Sequence, residues 1–372
     1  MLCKECPFFI SERIIISSLA IKTGRKLTVN SSSSSLKNRV AVWDGWRGMA
    51  ITLLLIGHFI HTPWIWEDRL GVDAFFVLSG MLMSTILFEK RVPLKTFYIR
   101  RFSRIFPVFS LYIIVAFVFA YLSKTYLGKA EMSFEIKEFF STLTFFRTYY
   151  PLEPHIWTTK VPIGHLWSLN VEEHAYVLMS LLTLFIFRNQ KVAMLLIVLG
   201  LGAIALSFYY YLNLDNAPTE FRIRTETAIS FIFLSAGYNL IKKQFDITVP
   251  SILPVITLLL AFMCYLEDAS IAGRSLWFPW LSFSVAPILL AFTLNHITEV
   301  QVLFRKVFEL KAIRLMGTWS FSIYLWQQLF YSYKWLIPFP PIGGIALSII
   351  VGALSFYFFE NPIRQWINKR WT

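Results

Sequence analysis

Ten stretches of about twenty mostly apolar residues recur along this chain, and nothing else in it constrains the fold as strongly. A helix needs about 20 such residues to cross the hydrocarbon core of a bilayer. The stretches lie at roughly 42–61, 71–88, 105–123, 167–187, 192–212, 225–241, 249–266, 277–295, 316–336 and 342–359. They predict an all-α integral membrane protein, a bundle of about ten transmembrane helices. Composition agrees, because 56% of the residues are hydrophobic, only 15% are charged, and the mean hydropathy is +0.58. A soluble globular domain carries more charge than this.

The basic residues set the orientation. With the N-terminus placed in the cytoplasm, 24 of the 35 Lys and Arg fall in cytoplasmic segments and ten on the opposite side, while Arg47 sits inside the first span. That asymmetry follows the positive-inside rule and puts both termini in the cytoplasm. It also explains the net charge of +13 without a nucleic-acid partner, since the charges gather at helix ends. The sequence divides into a cytoplasmic, disordered N-terminal segment at 1–39, a membrane domain at 40–366 and a short cytoplasmic tail at 367–372. The apolar part of 1–39 is broken by Glu12 and Arg13, so it does not read as a signal peptide, and Ser31–Ser35 reads as a flexible tether. Cys3 and Cys6 lack a second pair, so neither a metal site nor a disulfide framework is expected. Two stretches outside the spans are amphipathic. One is Phe134 to Tyr150, in an outer loop at 130–165; the other is 297–315, expected as a single helix on the inner leaflet. The absence of an internal repeat speaks against inverted-repeat transporters.

Polar residues inside the spans are costly and mark function. In the first span, Arg47 and His58 are eleven residues apart, close to three turns, so they share a face about 16 Å apart along the axis. Asp44 lies one turn before Arg47. Depth then sorts the others. His58, Asp73, Ser168, Glu172 and Glu173 fall towards the outer side, with Glu226 and Gln327 as further members of that layer. Arg47, Arg101, Arg104 and Glu360 fall at the inner side. Arginines three apart on a helix suit phosphates, because each guanidinium can bind two oxygens. These residues therefore point to an inner anion site and an outer acid–base site. Taken singly they have plainer readings: Arg100, Arg101 and Arg104 as topology anchors, His58 as a packing histidine, Asp44 as the counter-charge of Arg47. His61, His155, His165 and His296 read as solvated or interfacial.

Several segments carry a resemblance, in order: Asp44-Gly45-Trp46-Arg47-Gly48 through Gly57-His58; Gly71-Val72-Asp73-Ala74-Phe75-Phe76-Val77-Leu78-Ser79-Gly80; Phe97 through Pro107; His165-Leu166-Trp167-Ser168-Leu169 through Glu172-Glu173; Ser320 through Trp326; and Phe359-Glu360-Asn361-Pro362. The chain resembles the acyltransferase-3 family of integral membrane acyltransferases, which includes bacterial surface-glycan O-acetyltransferases. The likeness spans residues 39 to 366. It implies a ten-span bundle that takes an acyl group from a coenzyme A thioester, acetyl-CoA above all. It also implies functional roles for Arg47 and His58, for Arg101 and Arg104, and for Glu172. Two positions depart from the family pattern. Gln327 follows Tyr324-Leu325-Trp326, where histidine is common, and His174 follows the glutamate pair.

The expected function is O-acyl transfer from cytoplasmic acyl-CoA to a hydroxyl of an extracytoplasmic or lipid-linked glycan, in a bacterial inner (plasma) membrane that the chain crosses many times. His58 is the expected base, with Glu172 or Asp73 orienting its ring, and an acyl-histidine intermediate stays open as the other route. Arg47, Arg101 and Arg104 are the expected donor-binding residues; Asp44, Glu173, Ser168, Tyr324, Trp326 and Glu360 are further candidates. Two other functions use the same residues. A multi-span transporter or proton-coupled channel would relay protons through the buried His and carboxylates, and a non-enzymatic membrane partner would have kept the fold alone.

Overall fold

The computed structural model describes residues 29–62, 65–126, 134–186, 188–213, 220–266, 270–271, 274–275, 280–333 and 340–371. Among them the chain is mostly helical, with an irregular segment over 144–163, an isolated bridge between Ile65 and Leu266 and a two-residue antiparallel pairing of Ser270–Ile271 with Arg274–Ser275. The long elements are α1 (Val29–Phe59), α2 (Glu67–Ser84), α3 (Leu94–Tyr126), α4 (Ile136–Leu143), α5 (Trp167–Phe185), α6 (Asn189–Leu212) and α7 (Thr225–Gln244). They continue with α8 (Leu253–Met263), α9 (Leu281–Ser284), α10 (Ala286–His296), α11 (Val302–Glu309), α12 (Lys311–Ser332), α13 (Pro341–Ser355) and α14 (Asn361–Trp371). Single π-helical turns prolong α2 over Thr85–Glu89 and join α13 to α14 over Phe356–Glu360.

Among the described residues each expected apolar stretch overlaps a helix, but 249–266 is helical only over Leu253–Met263 and 277–295 is split between α9 and α10. Four helices are long and apolar enough by themselves to cross a membrane: Glu67–Glu89, Leu94–Tyr126, Asn189–Leu212 and Pro341–Trp371. Polar side chains or short length keep the remaining helices below that measure.

Two segments differ from the sequence-based expectation. The helix α1 starts at Val29, so residues 29–39, including Ser31–Ser35, are helical rather than an unstructured tether. Serine costs a helix only about half a kcal/mol per residue, so a long apolar helix can propagate backwards through such a run. Residues 1–28, with Cys3 and Cys6, lie outside the described residues. The stretch 297–315 is not one helix, because Leu310 takes an extended conformation between α11 and α12 (φ −56°, ψ 131°). That corner lets amphipathic α11 and the bundle helix α12 run in different directions.

Glycines bring the site helices together. α1 packs on α2, α11 and α12, while α2 also packs on α7. A Cβ at Gly317 on α12 would fall on the Asp44 carbonyl oxygen, and one at Gly48 on that of Ile313, so the α1 and α12 backbones touch. At the other end of α1, a Cβ at Gly57 would lie 2.5 Å from the Asp68 amide nitrogen, so the start of α2 closes against the residue before His58. Gly317→Ala should therefore separate α1 from α12 and destabilise the protein by about 1–3 kcal/mol, the range for overpacking a tight contact. A lower melting temperature in detergent checks this, and an unchanged one contradicts the close crossing.

Candidate functional site

His58 ends α1, and three helices converge on its ring. Its Nδ1 lies 2.8 Å from Gln327 Oε1. An amide carbonyl oxygen only accepts, so Nδ1 carries the hydrogen and donates it, and in the neutral imidazole Nε2 is then the acceptor nitrogen. Nε2 stands 3.7 Å from Asp68 Oδ2 in the first turn of α2. The imidazole stacks on Tyr331, with ring centroids 4.7 Å apart and planes 19° apart. Gln327 and Tyr331 are one turn apart on α12, so one helix face both bonds and covers the ring.

The carboxylates expected beside His58 bond elsewhere. Asp73 is fully buried on α2, where Arg69 Nε donates to it from 3.0 Å and the Tyr265 hydroxyl from 2.7 Å. Arg69 also covers the Trp167 ring at 4.9 Å and donates to the Arg222 carbonyl. Asp73 thus anchors a network tying α2 to the end of α8. Glu172 accepts a hydrogen bond from Ser79 on α2 at 2.7 Å. Glu173 pairs with Arg101 at 3.3 Å, which ties that carboxylate to the arginine layer rather than to His58. Glu226 accepts from the Tyr149 hydroxyl and from Arg224 Nε, both at 2.6 Å. The functional assignments of Glu172 and Asp73 thus meet a geometry in which Asp68 and Gln327 are the groups that touch the imidazole.

One face of α5 runs between the two layers. Ser168, Glu172 and Tyr176 are spaced four apart and so stack along the helix. The Ser168 hydroxyl meets that of Tyr324 at 2.7 Å, and Tyr176 lies under the Arg101 guanidinium, 3.6 Å from its ring centroid. Trp326 packs edge-on against Tyr112 at 5.6 Å.

A second layer gathers four guanidinium groups. Arg47 Nη1 donates to Asp44 Oδ1 at 2.9 Å. Arg101 and Arg104 come from α3, and Arg364 from α14. Arg104 has Arg47, Arg364, Arg101 and Glu360 as its charged neighbours. Glu360, at the end of the π turn, accepts from Ser322 at 2.7 Å and lies 3.7 Å from Arg364. Asp44, Glu173 and Glu360 offset three of the four cations. Among the described residues Arg104 makes no ion pair of its own, so the cluster keeps a surplus positive charge suited to an anion.

The sequence reading missed Asp68, Tyr331 and Arg364, and placed Gln327 in the outer layer without a role. It also misplaced two histidines. His296 is fully buried, bonded to Tyr238 and Glu299, each at 2.9 Å. His165 is buried in the turn Gly164–Leu166, enclosed by Tyr112 and Tyr324. A nearby loop assignment says nothing about depth, which here comes from the chain turning inward ahead of α5.

A family model described as an acyltransferase domain matches residues 40–360. The chain belongs to the acyltransferase-3 family. The peptidoglycan O-acetyltransferase OatA of Listeria monocytogenes is 27% identical over 349 residues, covering 87% of this chain and 55% of that protein. The O-acetyltransferase OatA of Staphylococcus aureus is 24% identical over 350 residues, covering 87% of this chain and 57% of that protein. The chain thus spans a little over half the length of these curated relatives. No solved structure matches it. Family membership and the long apolar helices together make this an integral membrane protein.

Proposed function

We propose that this protein moves an acyl group, acetyl in the simplest case, from cytoplasmic acyl-CoA to a hydroxyl of an extracytoplasmic or lipid-linked glycan. The setting proposed is a bacterial plasma membrane, crossed ten times with both termini in the cytoplasm. The O-acetyltransferase names of the relatives support the reaction class.

The observation that carries this reading is the His58 arrangement. Gln327 holds Nδ1–H, so in that tautomer Nε2 is the nitrogen that takes a proton, and Asp68 stands beside the cation that would result. This is the division of labour of a triad, in which one group fixes the tautomer and a negative charge favours the imidazolium. The acceptor hydroxyl gives its proton to Nε2 as its oxygen attacks the thioester carbon. The carbon–sulfur bond then breaks, and the departing thiolate takes the proton back. Arg104, with Arg47, Arg101 and Arg364 around it, would hold the donor's phosphates, and the separation of Arg47 from His58 suits the donor's extended arm. A proton-relaying transporter would use the same polar groups, but the family membership speaks against it.

The test is reconstitution in vesicles with acetyl-CoA supplied on the Arg104 side and a glycan oligosaccharide on the other. The expected product is oligosaccharide heavier by one acetyl group in place of a hydroxyl hydrogen, with free thiol released in equal amount. Movement of oligosaccharide without any thiol release would instead support transport.

A further inference from the structure

One buried imidazole takes no part in the chemistry assigned to His58. His165 is 4% exposed, and neither of its ring nitrogens has a hydrogen-bond partner among the described residues. The Leu325 backbone approaches the ring without completing a bond. Buried polar atoms are nearly always paired, so a buried imidazole without a protein partner stands out as a group with a donor and an acceptor to offer. The Tyr324 hydroxyl donates to the His165 carbonyl oxygen and meets Ser168, which holds the backbone of this turn while leaving the ring uncommitted.

The position of the ring is informative. His165 packs on Tyr324, with centroids 4.9 Å apart, while His58 bonds to Gln327. Tyr324 and Gln327 are three residues apart on α12, one turn, so the two imidazoles face neighbouring turns of one helix. They are close enough for each to feel the other's charge. Burial in the turn ahead of α5, and then the nearness of His58, hold His165 well below the ordinary imidazole range. A neutral imidazole is still a donor through one N–H. Neutral histidine acting as an electrophile beside a separate base is a known solution to carbonyl chemistry.

We infer that His165 is a second catalytic imidazole, donating a ring N–H to the carbonyl oxygen of the acyl thioester while His58 takes the proton of the attacking hydroxyl. The inference rests on the acyl-transfer reading. As the hydroxyl oxygen bonds to the acyl carbon, the carbonyl electron pair moves onto its oxygen. That oxyanion accepts the His165 N–H until the pair returns and the carbon–sulfur bond breaks, its electrons leaving on the thiolate. The thiolate is then protonated by His58. His165 neither gains nor loses a proton, so it needs no partner of its own to reset it.

The test compares purified wild type, His165→Phe, His165→Leu and His165→Gln in lipid nanodiscs. Thiol release from acetyl-CoA is followed with water alone and with a glycan oligosaccharide as acceptor. Removing one oxyanion donor costs about 10²–10³-fold in kcat. His165→Phe keeps the ring shape and should lose that much in both reactions, with the acetyl-CoA KM changed less than about threefold, the mark of a contact formed only in the transition state. His165→Leu should lose as much, and it decides the matter if the phenylalanine variant does not fold. His165→Gln restores a donor and should recover activity about tenfold over the better-folded of the other two. A kcat within about threefold of wild type in either apolar variant overturns the inference, as does a change confined to the KM of the oligosaccharide. Wild type that releases no thiol overturns the acyl-transfer reading itself, which is a different result from active wild type with an indifferent His165.

Discussion

His58→Ala should lower acyl transfer by about 10²–10⁴-fold, the contribution typical of a positioned general base, while the protein still inserts and folds. The ring is set at the end of α1, stacked on Tyr331 and bonded to Gln327, and its removal takes away no backbone contact. Gln327, fully buried, keeps the bond from its Nε2 to Gln328 Oε1 at 3.3 Å and loses the partner of Oε1. An unpaired buried acceptor costs about 1–3 kcal/mol, small enough for a membrane bundle to survive. The loss should therefore appear in kcat, measured as thiol release, with acetyl-CoA binding unchanged if the distant arginines hold it as proposed. Near-normal turnover in a folded variant would remove His58 from the chemistry. A joint loss of turnover and acetyl-CoA binding would mean that the two layers are not separate.

The parts of this site that the sequence displays are those lying within one element. Arg47 and His58 share a helix and a face, and Arg101 and Arg104 lie on successive turns of α3, so helical period alone pairs them. The groups that touch His58 come from other elements. Asp68 reaches it because Gly57 lets the start of α2 close on the end of α1, and Gln327 because Gly317 lets α12 cross α1 at backbone contact. Neither approach leaves a period to read. Hydropathy gave Asp73, Glu172 and Glu173 the depth of His58, but depth does not fix direction. Asp73 turns to Arg69 and Tyr265, and Glu173 to Arg101. The break at Leu310 is equally silent, since no glycine or proline marks it and only the meeting of α11 with α12 requires it. The departure at Gln327 is visible in the sequence, and its sense lies in the side-chain carbonyl that stands against Nδ1 of His58. An amide there fixes the tautomer without adding charge, leaving Asp68 as the carboxylate beside Nε2.

The largest effect on stability should come from outside the helical bundle, in the segment between α4 and α5. Arg147 is 1% exposed and Glu138 fully buried, and their side chains meet at 3.1 Å. Arg147 also donates to the carbonyls of Pro151 at 3.0 Å and Pro154 at 2.6 Å, while the Thr159 hydroxyl donates to Glu138 at 2.8 Å. A single buried ion pair therefore fastens three points of a segment without regular structure. Burial pulls the Arg147 guanidinium below its usual pKa, and the Glu138 carboxylate pulls it part of the way back. Arg147→Ala leaves the Glu138 carboxylate buried with Thr159 and the Glu135 amide as partners, and losing one member of such a pair costs about 3–5 kcal/mol. The melting temperature should fall by more than in Gly317→Ala, and proteases should cleave between residues 144 and 163. Because Lys160 and Pro162 of the same segment accept hydrogen bonds from Tyr333 and Tyr112, loosening it should also disturb the turn that carries His165 and reduce turnover. The double variant Glu138→Leu with Arg147→Met removes both charges together and should regain part of the stability, the part lost to an unpaired buried carboxylate, while the Pro151 and Pro154 carbonyls and the Thr159 hydroxyl still lack their partners. If Arg147→Ala melts like wild type and its loop resists cleavage, this ion pair does not hold the segment in place.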